Sequence, residues 1–230
     1  MARKKTVNTT RIKIVQVATR MFLEQGYSNT TVRGIAKELG ISSGNVTFYF
    51  HTKEHLLAAL IEMLCDFQWY MMQKEVDEGI TSIMAICLEL VAMAASSEEN
   101  EIVKDLYISA YTNPISLEII RRSDARRAKA VFSEYCPGWT DEMFAEAETL
   151  VSGMEYATLM TTSDSAPIDT RIAGALNQIL SIYNVPEEIR QVKIKKALAL
   201  DYGSVGRRIF HEFVEYIDSI NEQMEEKAEA

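Results

Sequence analysis

Residues 31–50, TVRGIAKELGISSGNVTFYF, indicate the fold of the N-terminal part of the chain. Thr31 and Ser42 are each suited to the N-cap position of a short helix, and Gly40 between them tolerates the left-handed backbone of a tight turn. Apolar side chains fall on both sides of this turn, at Ile35, Leu39, Ile41 and Val46. The residues after this set are β-branched and aromatic, which by composition alone would favour a strand. Two short helices joined around a glycine nevertheless predict a helix-turn-helix unit, with a recognition helix over about residues 43–49.

The segments on either side of this unit have apolar residues at helical spacing. An amphipathic helix spans residues 11–25 and ends at Gly26, and a long helix begins after Thr52 and continues to about Lys74. Helical periodicity then continues to the acidic C-terminal tail, with breaks expected at residues 136–139, in a Ser/Asp/Pro loop over residues 162–167 and at Gly203.

The predicted architecture is therefore all-α. A three-helix DNA-binding domain occupies residues 1–54, including an N-terminal arm over residues 1–9, and a larger helical bundle occupies residues 55–230. Only 4 prolines and 10 glycines occur among 230 residues, so helix breakers are few. No apolar run approaches the roughly 18 residues that a membrane span requires, so we expect a cytoplasmic protein without a membrane partner.

The sign of the net charge changes close to the predicted domain boundary. Residues 1–55 carry nine Lys or Arg against three Glu, a net charge of +6, within a chain whose net charge is −9. The remaining 175 residues hold 15 basic and 30 acidic side chains. Because attraction to phosphate acts over a Debye length of roughly 8–10 Å, a basic first segment can bind DNA despite an acidic body.

The stretch FLEQGYSNTTVRGIAKELGISSGNVTFYFHTKEHLLAAL, residues 22–60, resembles the N-terminal domain of the TetR family of bacterial transcriptional regulators. The match runs from about Ile14 to Leu60 and includes Gly26-Tyr27, Leu39-Gly40-Ile41-Ser42 and Lys53-Glu54. This resemblance implies a three-helix DNA-binding domain, a larger all-α domain that regulates and dimerises, and a small-molecule inducer.

Within the predicted DNA-binding domain, short polar, aromatic and basic residues cluster around the second, third and fourth helices. The residues expected to contact DNA are Thr31, Arg33, Ser42, Ser43, Gly44, Asn45, Thr47, Phe48, Tyr49 and Lys53. Thr31, Arg33 and Lys53 are expected to contact the phosphate backbone, as are Ser42 and Ser43.

Asn45 offers a donor and an acceptor together, as adenine recognition requires, and Thr47 and Phe48 can contact a thymine methyl group. Gly44 lets the helix approach DNA closely. Family members commonly have Tyr where this sequence has Thr47. For Tyr49 two alternatives remain open, packing under the helix or reaching a phosphate.

Aromatic and methionine side chains are plentiful in the second domain and suggest a pocket for a small apolar or aromatic ligand. The candidate lining residues are Trp69, Met72, Tyr107, Tyr111, Met154 and Tyr156. Packing in the core is the alternative role for each of them. No cofactor is expected.

A homodimer interface is expected where small residues recur along AEAETLVSGMEYATLM, residues 145–160, because small side chains let helices approach closely. Together with the helix near residue 175 it would form half of a four-helix contact. The expected interface residues are Ala147, Val151, Met154, Ile172, Leu176 and Ile179.

Enzymatic and metal-binding roles have little support. His51 and His55 have the spacing of metal ligands but no evident partners, and the three cysteines form no C-x-x-C pair. The leading hypothesis is a homodimeric repressor that binds a palindromic operator and is released by a ligand. The alternative is a ligand-independent dimeric DNA-binding factor that acts through a protein partner.

Overall fold

The computed structural model describes residues 2–77 and 81–229, with side chains at residues 9–75, 81–224 and 226. Within these residues the secondary structure is entirely α-helical, which confirms the predicted fold class. The helices are α1 (Ala2–Gln25), α2 (Val32–Glu38), α3 (Ser43–Tyr49), α4 (Lys53–Asp77), α5 (Ser82–Glu99), α6 (Glu101–Thr112), α7 (Pro114–Phe132), α8 (Asp141–Leu159), α9 (Ile168–Ile182), α10 (Glu187–Leu198) and α11 (Tyr202–Glu229).

The first helix differs from the expectation. It begins at Ala2, where an arm over residues 1–9 was expected. The sequence between residues 2 and 25 contains neither glycine nor proline, so nothing in the chain ends the helix there. Gly26 ends it as expected, with a left-handed φ of +90°.

The predicted break at Gly203 was also wrong, because α11 begins at Tyr202 and includes this residue. The glycines of its first turns allow close packing on α5. A Cβ at Gly206 would lie 2.9 Å from Ser96 Oγ and 3.2 Å from Ser96 N. The chain turns at residues 199–201, two to four residues before Gly203, between α10 and α11.

The N-terminal helices share a small core. Ile14 and Phe22 from α1, Ile35 from α2 and Val46 from α3 are completely buried, and Phe50 is 4% exposed. The β-branched and aromatic stretch is therefore helical because α3 is held by tertiary packing, which can outweigh a low helix propensity.

In the larger part of the chain, α5 is the central helix. Eleven of its residues are buried, and it contacts α4, α6, α8, α9, α10 and α11. Helices α7 and α8 pack against each other, and α7 also packs on α4. This arrangement brings the inner faces of α5, α7 and α8 together around one interior region.

The last helix joins the two parts. Helix α11 packs on α5 and also on α1 and α4. Phe213 lies 5.2 Å from Phe67 between ring centroids, Lys74 forms a 2.8 Å ion pair with Glu212, and the Gln16 amide donates to the Asn221 carbonyl at 3.4 Å. Helix α1 is therefore braced by the C-terminal helix as well as by its own domain.

Candidate functional site

The turn between α2 and α3 has the capping interactions expected from the sequence. Thr31 Oγ1 accepts a hydrogen bond from the Gly34 amide at 3.0 Å, and Ser42 Oγ accepts one from the Asn45 amide at 3.2 Å. Gly40 has a φ of +66°, a conformation that costs a residue with a Cβ more than glycine. These local interactions hold α3 at a defined angle to α2.

One face of α3 is exposed and the opposite face is buried. Phe48 is 71% exposed, and Asn45 and Thr47 are also exposed, whereas Val46 is completely buried. The exposed residues are those that the sequence analysis assigned to base contacts.

Gly44 and Thr47 keep this face of α3 flat. A Cβ at Gly44 would meet only Ser42 Oγ, at an ordinary 3.7 Å, so the fold itself does not require glycine there. The Thr47 hydroxyl donates within the helix, to the carbonyls of Ser43 and Gly44 at 3.2 Å each. Its methyl group is then the part left for contact with a partner.

Tyr49 takes an intermediate position between its two expected roles. The side chain is half-buried and packs against the core, and its ring lies edge-on to Phe48 with centroids 5.1 Å apart. It therefore supports the exposed phenylalanine from the side.

Lys53 was expected to contact phosphate, and the structure shows that its ammonium group makes contacts within the chain. Its ammonium group donates to the carbonyls of Tyr27 and Thr30 at 2.9 and 3.0 Å and lies 3.9 Å from the centroid of the Tyr27 ring. Burial lowers the pKa of this ammonium group. Because two of its three N–H donors are used within the chain, Lys53 first of all ties α4 to the α1–α2 turn.

Thr31 and Arg33 remain exposed at the start of α2, as a phosphate contact requires. Arg20 on α1 bridges to α2 through a 2.7 Å ion pair with Glu38. Exposed ion pairs of this kind add little stability, but this one orients α2 relative to α1.

A second candidate site lies inside the larger domain. A cavity of about 30 Å³ is enclosed by α5, α7, α8, α9 and Tyr183. A neighbouring cavity of about 40 Å³ lies between α4, α5, α7 and α11. Ile86, Glu89 and Arg127 line both cavities, so these side chains separate them.

Four carboxyl groups and one guanidinium group surround the first cavity: Glu89, Asp124, Glu148, Glu155 and Arg127. The two Nη atoms of Arg127 bind both oxygens of Glu89 at 2.5 and 2.9 Å, and Nη2 also binds Asp124 at 2.7 Å. Two tyrosines supply further donors, since the Tyr111 hydroxyl donates to Glu155 at 2.9 Å and the Tyr183 hydroxyl donates to Glu148.

This environment favours the neutral form of several carboxyl groups. Burial and the nearby charge of Asp124 raise the pKa of Glu148 to about 8. Burial raises the pKa of Asp124 to about 6, although Arg127 opposes the shift. Burial and the surrounding carboxylates also raise the pKa of Glu155 well above its usual value. The single guanidinium group does not neutralise four ionised carboxylates.

The predicted ligand pocket coincides with this region only in part. Tyr111 is joined to the cluster through Glu155, and Met72 lines the neighbouring cavity. The half-buried residues Trp69, Tyr107, Met154 and Tyr156 are not in the lining of either cavity, although Tyr156 stacks on Tyr111 at 6.5 Å.

Sequence reasoning missed the charged residues of the cavity. A usable signal was present in α8, where Glu148 and Glu155 interrupt the buried stripe formed by Phe144, Ala147, Val151 and Leu159. Acidic residues on the apolar stripe of a helix indicate a polar interior.

The expected dimer residues lie in the core of the chain. Ala147, Val151, Ile172, Leu176 and Ile179 are between 0 and 5% exposed, so they are not available to a second copy, and Met154 is half-buried. The named residues face the core because α8 packs on α7 and α5, and α9 packs on α5. The outer face of α8 presents Met143, Leu150, Gly153, Ala157 and Met160.

Two further observations concern a metal site and a membrane-spanning helix. Among the described residues, no group of three or more His, Cys, Asp or Glu is placed to hold a metal ion. No helix in the same part of the chain is long and apolar enough to cross a membrane.

Residues 14–60 match the family described as bacterial regulatory proteins, tetR family. HbdR, an HTH-type transcriptional regulator of Aromatoleum sp. (strain CIB), is 30% identical over 119 residues, which cover 51% of this chain and 50% of HbdR. KstR2, an HTH-type transcriptional repressor of Mycobacterium tuberculosis (strain ATCC 25618 / H37Rv), is 38% identical over 60 residues, covering 26% of this chain and 30% of KstR2. The chain thus spans about half the length of HbdR.

Solved structures extend the similarity of fold beyond the N-terminal domain. RolR without ligand has a TM-score of 0.59 at 17% identity, with 80% of this chain and 95% of RolR covered. Thermus thermophilus FadR, a TetR-family repressor in complex with lauroyl-CoA, has a TM-score of 0.54 at 18% identity, with 77% of this chain and 96% of FadR covered. At 17% and 18% identity these two matches show a similarity of the helical fold over most of the chain.

Proposed function

We propose that this chain, whose residues 14–60 match the tetR family of bacterial regulatory proteins, is a cytoplasmic repressor that binds a palindromic operator as a homodimer. A small molecule in the larger domain releases it from DNA. HbdR, 30% identical over 119 residues, is a transcriptional regulator, and KstR2, 38% identical over 60 residues, is a repressor.

The exposed face of α3 is the observation that carries the DNA-binding part of this proposal. Phe48, Asn45 and Thr47 project from a helix whose other face is buried, and Arg33 and Thr31 flank it from α2. In a helix-turn-helix protein such a face enters the major groove, while the flanking residues contact phosphates.

The outer face of α8 is the proposed dimer contact. Leu150 is 57% exposed, and Met143 and Met160 are 45% and 44% exposed. Among the described residues, and apart from the chain neighbours and the adjacent backbone of α8 itself, no atom lies within 4 Å of a Cβ built at Gly153, so a helix from a second copy can pack closely there. A dimer is needed because two recognition helices must reach half-sites about one helical turn apart.

Helix α6 is the proposed route by which ligand binding alters the DNA-binding domain. Asp105 on α6 accepts a hydrogen bond from the Ser28 amide in the α1–α2 turn at 2.8 Å. Two turns further along, Tyr111 on the same helix donates to Glu155 of the internal cluster. A ligand that moves Tyr111 therefore shifts the turn before α2, which changes the spacing of the two recognition helices.

The small size of the internal cavities supports a second candidate function. Volumes of about 30 and 40 Å³ admit little more than ordered water. A dimeric DNA-binding factor without a ligand, acting through a protein partner, is compatible with such a filled interior.

Selection of bound fragments from the source genome is the experiment that tests this function. We expect enrichment of a palindromic sequence, with protection of two half-sites about one helical turn apart. On the selected fragment, Asn45→Ala should weaken specific binding far more than binding to scrambled DNA. Arg33→Ala should weaken both specific and non-specific binding. It should also reduce the slope of log affinity against log salt concentration by about one, as expected for the loss of one phosphate contact.

Four results would test the function or decide between the two candidates. Failure to enrich any sequence rejects the DNA-binding function. Enrichment of single half-sites rejects the dimer. Release of the operator by a small molecule supports the ligand-controlled repressor, whereas recruitment of a protein to the operator without such release supports the second candidate.

A further inference from the structure

We propose that the internal cavity binds an organic cation, with an amine or guanidinium group paired to Glu148 and Glu155 and an apolar or aromatic body. This inference rests on the proposed function, because it names the chemical class of the ligand that the larger domain responds to. The proposal follows from three observations: the charges that line the cavity, a buried carboxyl oxygen of Glu148 without a hydrogen-bond partner, and the ion pair that separates the two cavities.

The charge balance of the cavity favours a positive ligand. Glu89, Asp124, Glu148 and Glu155 face the same small space, and Arg127 is the one basic residue in the lining. Both Nη atoms of Arg127 are already occupied by Glu89 and Asp124. Among the described lining residues, an anionic ligand would find one unpaired cationic donor, the Nε–H of Arg127, and would be repelled by the ionised carboxylates.

Glu148 supplies the second, independent observation. The residue is 3% exposed and lines the cavity, yet its Oε2 atom has no hydrogen-bond partner within the described residues. Its other oxygen accepts from Tyr183. A buried carboxyl oxygen without a donor is costly, and a ligand ammonium group in the cavity would supply the missing donor and charge.

The aromatic residues beside Glu148 suit the rest of such a ligand. Tyr183 stacks on Phe132 with ring centroids 4.4 Å apart and an interplanar angle of 3°, and both residues line the cavity. Aromatic faces attract organic cations and also pack on flat apolar groups. The carboxyl groups and the rings therefore present complementary surfaces for an aryl or alkyl amine.

The ion pair between Arg127 and Glu89 explains how a larger ligand can enter. This pair separates the cavity of about 30 Å³ from the neighbouring cavity of about 40 Å³. A ligand larger than a few atoms has to displace Arg127 and join the two spaces. Displacement by a neutral molecule would leave the buried Asp124 and the half-buried Glu89 without a counter-charge, whereas an organic cation replaces the charge that it moves.

A metal ion fits this cavity less well. Among the described residues, no three acidic, His or Cys side chains are placed to hold a metal ion. The four carboxyl groups of the cavity are among the residues to which this applies. A longer organic cation can pair with carboxylates that are too far apart to share one metal ion.

Two matched sets of probes test the proposal on the full chain. Each set has one aromatic body that carries an amine, a neutral hydroxyl or a carboxylate: tryptamine, tryptophol and indole-3-acetate, and benzylamine, benzyl alcohol and benzoate. We expect the amines to raise the thermal midpoint and to bind in calorimetric titrations, and the carboxylates to do neither. Glu148→Gln should weaken amine binding by at least about tenfold, because a buried charge pair is lost.

Glu146→Gln is the matched control. Glu146 lies on the same helix two residues earlier but is exposed, so its substitution should leave amine binding unchanged. Glu155→Gln should weaken amine binding as Glu148→Gln does.

Proton release gives a readout that a structural role of Glu148 would not produce. A cation that pairs with a neutral carboxyl group in the cavity expels its proton, and the groups facing it are Glu89, Asp124, Glu155, Arg127, Tyr111 and Tyr183. Amine titrations in phosphate and in Tris near pH 7 should therefore differ in enthalpy by the heat of buffer protonation. Glu148→Gln should reduce this difference.

The proposal is overturned if neither amine binds, if a carboxylate probe binds more tightly than its amine, or if Glu148→Gln leaves amine affinity unchanged. The same proteins are tested on the selected DNA fragment, because Glu148 is remote from α3. Retained operator binding without amine binding rejects the cation site alone. Amine binding without any operator binding rejects the proposed function alone.

Discussion

Ser28 and Asp105 join the turn between α1 and α2 to helix α6. The Ser28 amide donates to Asp105 Oδ2 at 2.8 Å, and the Ser28 hydroxyl donates to Oδ1. A Cβ at Gly26 would lie 2.9 Å from the same Oδ2 atom, so glycine permits both the left-handed φ and the approach of α6. This contact links the helix that carries Tyr111 to the DNA-binding domain.

Asp105→Ala should loosen the α1–α2 turn. The loss of both hydrogen bonds should lower the free energy of unfolding by about 1 kcal/mol and speed amide exchange at residues 26–30. Hydrogen exchange and denaturant unfolding measure the two effects. Glu101→Ala, at an exposed site on the same helix, is the control and should change neither. Unchanged exchange at Ser28 would show that α6 does not restrain the turn.

Phe48→Ala and Val46→Ala should separate DNA contact from packing within α3. Phe48 is 71% exposed, so its loss should reduce operator affinity by about tenfold with little change in stability. Val46 is completely buried, so its truncation should lower the free energy of unfolding by about 2 kcal/mol. Gel-shift titration and urea unfolding give the two quantities. Equal operator affinity of Phe48→Ala and wild type would exclude Phe48 from the interface.

Lys53→Met should destabilise the N-terminal domain even without DNA. The substitution removes two hydrogen bonds to the Tyr27 and Thr30 carbonyls and the cation–π contact with Tyr27, for an expected loss of about 2 kcal/mol. Thermal unfolding checks this value. Lys37→Met, at an exposed position on α2, should have almost no effect on the midpoint. If both variants have the same thermal midpoint, the contacts of the Lys53 ammonium group with the α1–α2 turn do not contribute to stability.

Leu150→Glu should break the proposed dimer. Burial of the new charge at a helix contact is unfavourable, so the variant should be monomeric in light scattering and bind the palindrome at least about tenfold more weakly. Val192→Glu is a matched control, because Val192 on α10 is 52% exposed and Leu150 is 57% exposed. A dimeric Leu150→Glu variant would place the interface elsewhere.

Glu148→Gln should change the pH dependence of stability. The folded-state pKa of about 8 lies above the ordinary value of 4.5, so between these pH values the folded chain binds more protons than the unfolded chain. This contribution to stability is present at low pH and is lost as the pH rises towards 8, by up to about 1.4 kcal/mol per pH unit. The variant lacks this loss and should gain stability relative to wild type as the pH rises.

Urea midpoints at about pH 5.5 and pH 8.5 measure this difference. Glu146→Gln, exposed on the same helix, should follow the wild type at both values. A constant difference between Glu148→Gln and wild type across this range would mean that Glu148 is ionised in the folded chain.

The sequence by itself determined the elements whose causes are local. Thr31 and Ser42 cap their helices through hydrogen bonds to residues three positions away, and Gly40 adopts the left-handed turn between them. Together with the apolar positions of α2 and α3, these features predicted the helix-turn-helix and the exposed face that carries Asn45 and Phe48. Sequence separation is small in all these interactions, so pattern and residue type were sufficient.

Only the tertiary structure decided the interactions between distant residues. The partners of Lys53 lie 23 and 26 positions away, and Arg127 reaches Glu89 across 38 positions. Helical spacing showed that small residues recur along α8, but the packing of α5, α7 and α9 determined that Ala147 is internal whereas Gly153 and Ala157 are exposed. The same packing brings four carboxyl groups from three helices around one cavity, because long-range burial sets their neighbours and therefore their charge.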